Sequence, residues 1–310
     1  MPAIWIPKRL VEISLINAAA ADKTSFIRHC EFEYESRVYA AAKEILSADK
    51  HIVMLTGPSG SGKTTTSNKI AEKLRAMGKQ AQVLSMDDFY KNPEVYPRLA
   101  DGTKDYENVH AVDIPLMNKC LNQLLTEGKT ILPKFDFKTE RRIENATPLN
   151  IGDGVVIVEG IHALNPIVLE GLDRNKVFTI YAGLREEYSH QGQRIIPTRD
   201  LRLVRRMIRD HKYRGHTPQK TIAMWQSVCD GEDKYIKPFK ANADLLLDTS
   251  FSCEILVANS ALKNFSHDLD DGTAESEKFG QLLKAFSHCD FIREGDLPPN
   301  TMLKEFYGLN

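Results

Sequence analysis

Apolar residues in this chain come in short solid runs more often than in strict alternation. His51-Ile52-Val53-Met54-Leu55-Thr56 is one such run, and its length suits a strand covered on both faces. Residues 82–85, 155–158, 177–181 and 243–247 repeat the pattern. A helix is expected over 63–76, stopping near Gly78. Strands separated by helical segments predict an α/β protein: a mostly parallel, doubly wound sheet in three layers, helices on both faces.

The ends of the chain follow other patterns. Positions 4–16 carry brief apolar stretches, expected as one or two strands. Positions 26–46 read as an amphipathic helix, with Phe26, Val38, Ala42 and Leu46 on its apolar side. We therefore expect an N-terminal extension over 1–50, a packing arm rather than a partner surface, and a main domain over 51–250. A C-terminal helical extension is expected over 251–310. It holds a loop at 268–273, a helix at 276–286 and a short helix or tail at 298–310.

Composition narrows the function. The net charge of −1 supplies no field for nucleic acid or anionic lipid. No apolar run reaches membrane-spanning length, and the first residues lack the layout of a secretory signal, so a cytoplasmic protein is expected. Its five cysteines are scattered without a C-x-x-C pair, which reads as reduced thiols rather than disulfides or a zinc site.

The chemistry enters at Gly57-Pro58-Ser59-Gly60-Ser61-Gly62-Lys63-Thr64, which fits G-x-x-x-x-G-K-[ST] in full. Glycines let the backbone close around an anion, and its N–H groups converge on phosphates. The helix that starts there adds its positive end. Lys63 is placed to reach the β- and γ-phosphates and Thr64 to ligate Mg²⁺, with Thr65 continuing the binding turn. The cofactors expected are ATP and Mg²⁺.

Two acids end neighbouring strands, Asp87 and Glu159. Strand ends line the ligand crevice of a parallel sheet. Asp87 there can take the proton of an attacking hydroxyl or hold Mg²⁺ through water, and Glu159 can stand near the metal. Both positions also suit ordinary turn carboxylates. Arg202, Arg205, Arg206 and Arg209 recur on one face of a helix, followed by Arg214-Gly215. Such a face is either a mobile lid over ATP or a solvated stripe balanced by Asp200 and Asp210. Beside a phosphate loop, the lid is the better reading.

These motifs, with Met86-Asp87-Asp88-Phe89-Tyr90, Leu132-Pro133-Lys134-Phe135-Asp136-Phe137, Ile157-Val158-Glu159-Gly160-Ile161 and Pro238 before Ala243-Asp244, resemble the uridine kinase/phosphoribulokinase family over roughly 50–250. The finer resemblance is to uridine kinase-like proteins often fused behind a TGS/threonyl-tRNA-synthetase-like region. It is carried by Ile195-Ile196-Pro197-Thr198-Arg199-Asp200, Trp225, Gly231-Glu232-Asp233-Lys234-Tyr235-Ile236 and Leu303-Lys304-Glu305-Phe306-Tyr307-Gly308. The family resemblance implies a P-loop NTPase fold with an arginine-bearing helical lid and a small β insertion. It implies Asp87 as general base, Lys63, Arg206 and Arg209 as catalytic cations, and Arg209 and Arg214 on the nucleotide. Thr64, Glu159 and Asp87 would face the metal, and Tyr90 and Tyr106 the nucleoside. The chain departs from the family's pattern at Glu107, where an aspartate grips the ribose. It departs again at Phe135 and Glu140, where a tyrosine and a histidine lie near the base, and at His216 in the lid.

The expected function is transfer of the ATP γ-phosphate to a hydroxyl of a small molecule, first a nucleoside. A sugar or polyol acceptor is the close alternative, and a nucleotide switch without an acceptor the distant one. A homo-oligomer is possible on the family pattern. No nucleic-acid or membrane partner is expected.

Overall fold

A computed structural model describes residues 6–98, 102–265 and 272–308. The sequence expectations for residues 4–5, 268–271 and 309–310 lie outside the described residues. Among the described residues ten strands form three sheets. β1 (Arg9–Glu12) belongs to the first of them. The central sheet contains β2 (Ile52–Thr56) and β3 (Ala81–Ser85). A hairpin of β4 (Lys129–Asp136) and β5 (Arg141–Asn150) stands apart as the small β insertion. β6 (Val155–Glu159) and β7 (Val177–Gly183) return to the central sheet. β8 (Glu186–His190) and β9 (Gln193–Ile196) join β1, and β10 (Leu245–Asp248) closes the central sheet. That sheet has the order β10-β7-β2-β6-β3, every neighbour parallel.

The period-2 geometry of β2 divides its side chains between two cores. Val53 and Leu55 belong to the core that also holds buried residues of helices Lys23–Ser47, Lys63–Ala76 and Thr198–Arg214, while Ile52 and Met54 belong to the one that holds those of helix Ile114–Glu127. Burial on both sides explains why the run has no polar alternation. Helix Ile114–Glu127 went unread in the sequence, although it carries clear signals. Asp113 caps the N–H of Leu116, Pro115 sits in the first turn, and Gly128 ends it in the left-handed region at φ 69°.

At the N-terminal arm the structure differs from expectation. Only Arg9–Glu12 is a strand, and Ile13–Ala19 is a helix that buries Ile13 and Ile16. Their spacing of three puts both on one helical face, whereas a strand would turn them to opposite sides. β1 pairs parallel with β8, whose Glu186 and Glu187 bind Arg9 and Lys8 at 3.0 and 2.6 Å. The arm's long helix, Lys23–Ser47, lies on the phosphate-loop helix, and Tyr34 Oη meets Thr66 Oγ1 at 2.8 Å in the buried seam. At the other end, helices Glu254–Lys263 and Ala274–Phe286 pack on one another, and residues 302–307 return to the phosphate loop. All five cysteines are free and buried. No helix among the described residues is long and apolar enough to cross a membrane.

Candidate active site

The phosphate loop turns between β2 and helix Lys63–Ala76 with Gly60 and Gly62 at φ 73° and 84°. Gly57 is fixed by a different constraint: a Cβ there would stand 2.1 Å from the Ala182 carbonyl oxygen. The N-cap residue Gly62 offers the helix no side-chain acceptor, so the N–H groups of its first turn need other acceptors, an anion among them. Ser59, Gly60, Gly62, Lys63 and Thr64 line a cavity of about 340 Å³. Gly57, Pro58 and Ser61 shape the loop from outside that cavity, and Lys63 Nζ donates to the Pro58 carbonyl at 3.2 Å. Thr65 takes another partner: its N–H and hydroxyl both donate to Glu305, at 3.2 and 2.7 Å.

Three carboxylates line the cavity with Lys63 and favour its charge, those of Glu159, Glu305 and Asp87. Burial nevertheless lowers the lysine pKa. Glu159, at the end of β6, accepts from Thr64 Oγ1 at 3.3 Å and from Ser85 Oγ at 3.2 Å. Burial pushes its carboxyl up to about 7 against the pull of Lys63. Asp87 follows β3, its N–H directed at Ser85 Oγ, 3.3 Å away. Its side chain opens to the cavity and is reached by solvent there, yet protein crowds it closely. That crowding raises its pKa although Lys63 opposes the shift.

The far wall is aromatic. Tyr90 contacts Phe135 at 5.7 Å and Tyr96 at 6.0 Å between ring centroids, and Tyr96 meets Tyr106 edge-on at 5.5 Å. Glu107 and Glu140 complete the wall, with Glu140 at φ 52° on the hairpin turn. Burial raises the Glu107 carboxyl, and Arg206 and Lys63 pull the other way.

Cations close the remaining side. Arg206 donates to Ser59 Oγ at 3.1 Å. Arg206, Arg209 and Arg214 all pair with Asp210, at 3.2, 2.7 and 3.3 Å. The four helix arginines therefore do not form one face toward a ligand. Arg202 is paired to Glu232 and Arg205 to Glu254, each at 2.5 Å in the interior, while Arg206 and Arg209 reach the cavity. Burial lowers the pKa of Arg206 and of Arg214.

A phosphate loop, two strand-end acids and a basic helix in this order invite comparison with known proteins. The profile of the Phosphoribulokinase / Uridine kinase family matches residues 52–254. The chain belongs to this family. It is 32% identical over 197 residues to a uridine kinase of Bacillus pumilus, covering 63% of this chain and 85% of that one. A uridine kinase of Deinococcus deserti is 28% identical, covering 63% of this chain and 86% of that protein. Uridine-cytidine kinase A of Dictyostelium discoideum is 30% identical over 74% of this chain and 42% of its own length. The finer likeness to proteins fused behind a TGS/threonyl-tRNA-synthetase-like region is not borne out; these relatives are uridine and uridine-cytidine kinases.

As a member of the phosphoribulokinase/uridine kinase family, the protein is an ATP-dependent kinase acting on a hydroxyl. Three contributors to this kinase's cleft were missed in the sequence. Tyr96 had no motif around it. Asp210 read as one more surface charge, although it is 0% exposed. Glu305 was noted only for a resemblance in the C-terminal segment, and nothing local to it points at Thr65.

Proposed function

We propose that this kinase moves the γ-phosphate of Mg-ATP to a hydroxyl of a nucleoside, with uridine the first acceptor to try. The observation carrying the reading is the position of Asp87, on the cavity between the phosphate loop and the aromatic wall. Residues 51–250 would be the kinase domain, with 1–50 and 251–310 as extensions packed on it.

The donor triphosphate would lie on residues 57–64, its charge met by Lys63, Arg206 and Arg209. Thr64, Glu159 and Asp87 offer hard oxygen donors that suit Mg²⁺. They do not by themselves make a closed cage, as expected of an ion that keeps waters and phosphate oxygens. When bound, the ion would neutralise charge on the donor phosphates. Asp87 would accept the hydroxyl proton as the acceptor oxygen bonds to the γ-phosphorus. The bond from that phosphorus to the bridging oxygen breaks, and ADP leaves. The rings of Tyr90 and Phe135 would hold the base, Tyr106 would flank it, and Glu107 would engage the ribose diol.

Support for a nucleoside comes from the named relatives and from this aromatic wall. The test is ADP release from Mg-ATP across a panel of nucleosides, pentoses, hexoses and inositols, with an acceptor-free control. Uridine or cytidine should stimulate release strongly. Asp87→Asn should still bind ATP and lose turnover by about 10²-fold or more. Stimulation by sugars or polyols alone would replace the acceptor while keeping the chemistry. Equal release without acceptor would remove the kinase reading.

A further inference from the structure

Glu305 stands between two cavities. One is the active-site cleft, and the other is a wider space of about 1050 Å³ bounded by helices Lys23–Ser47 and Lys63–Ala76 and the C-terminal segment. The bonds that hold Glu305 there decide its meaning. Its Oε2 accepts from both the N–H and the hydroxyl of Thr65, in the first turn of the phosphate-loop helix. N–H groups of that turn have no acceptor within the helix, and an anion is their natural partner. The carboxylate has the charge sign and acceptor chemistry of a phosphate oxygen, and it sits within the field of Lys63.

The surrounding segment is built to hold this group in place. Met302, Leu303, Phe306 and Tyr307 are each 0% exposed. The Arg205 guanidinium lies 4.6 Å over the Phe306 ring, and Tyr307 Oη reaches Glu254 at 3.3 Å. Met302 Sδ would stand 3.3 Å from a Cβ on Gly62. These anchors fix the backbone beside the loop, while Glu305 itself is only half-buried on a flexible side chain. Its charge also raises the Glu159 carboxyl, crowding acids around one lysine.

We propose that Glu305 is an intramolecular stand-in for a donor phosphate. It competes with the nucleotide for Thr65 and the start of the phosphate-loop helix, and donor binding swings it into the wider cavity. The anchors stay in place, so the C-terminal segment acts as a tethered competitor that weakens donor affinity without closing the acceptor pocket. This inference rests on the kinase reading above.

Calorimetric titration of Mg-ATP into the whole protein and into Glu305→Ala tests it, together with the KM for Mg-ATP in turnover. Glu305→Ala should bind about tenfold more tightly, with the donor KM falling in parallel. Glu305→Gln, which keeps the shape and loses the charge, should fall between the two. The exposed neighbour variant Lys304→Ala should move neither quantity. Because the four buried anchors remain, thermal melts of the variants should match the parent. Unchanged or weaker binding by folded Glu305→Ala, with turnover present, would overturn the stand-in and leave the kinase standing. No nucleotide binding by either folded protein would overturn both.

Discussion

Glu159 is pulled two ways. The role proposed for it beside Mg²⁺ would need it ionised, whereas its burial favours the protonated acid and pushes the pKa up to about 7 from 4.5. The folded state thus holds this proton more tightly than the unfolded chain does. Its contribution to stability is therefore present below pH 4.5 and lost as pH rises through 7, a loss on the order of 3 kcal/mol by pH 8. Glu159→Gln removes the ionisable group and keeps the shape. In nucleotide-free protein it should raise the melting temperature clearly at pH 8 and only slightly at pH 5, while turnover disappears. A melting temperature at pH 8 no higher than the parent's would refute the burial argument.

At the scale of elements, the helix Thr198–Arg214 shows what local pattern conveys and what it leaves out. Its arginines were readable as a set because their spacing is local. Their division was not, because the deciding partners lie far along the chain: Glu254 is 49 residues from Arg205, and Glu232 is 30 residues from Arg202. Arg205 is wholly buried, pairs with Glu254 and also donates to the Gly60 carbonyl at 2.9 Å, so it holds the loop from behind, off the cavity lining. Arg205→Met should leave a buried carboxylate without its cation and cost about 3–5 kcal/mol in denaturant unfolding. Adding Glu254→Leu to it should restore most of that loss. If the double variant were no more stable than the single one, the pair would not be the source of the cost. The strands divide in the same way. The core strands were legible because their apolar runs are continuous. β8, Glu-Glu-Tyr-Ser-His, was not, since its burial rests on charge pairs with an arm 177 or more residues away.

On the scale of the whole molecule, both ends of the chain converge on one helix. Tyr34 meets Thr66 from the N-terminal side, and Glu305 meets Thr65 from the C-terminal side. The turn between β2 and helix Lys63–Ala76 was legible because its glycine pattern is written in eight consecutive residues. The two ends were legible only as helical extensions, because the contact from Glu305 to Thr65 spans 240 positions. The buried thiols make this arrangement observable. Cys30 and Cys253 lie in the region where the two ends meet the body, Cys289 in the C-terminal part, and Cys120 and Cys229 elsewhere in the fold. A bulky thiol reagent can reach any of them only when its surroundings open, so each labelling rate reports one local opening equilibrium. In native buffer all five should react far more slowly than in denaturant, as read by mass spectrometry of digested samples. With a tethered Glu305 that leaves its anchors in place, Mg-ATP should not speed the labelling of Cys289. The chain thus carries its own set of clocks, one for each region that has to loosen before its thiol can be seen.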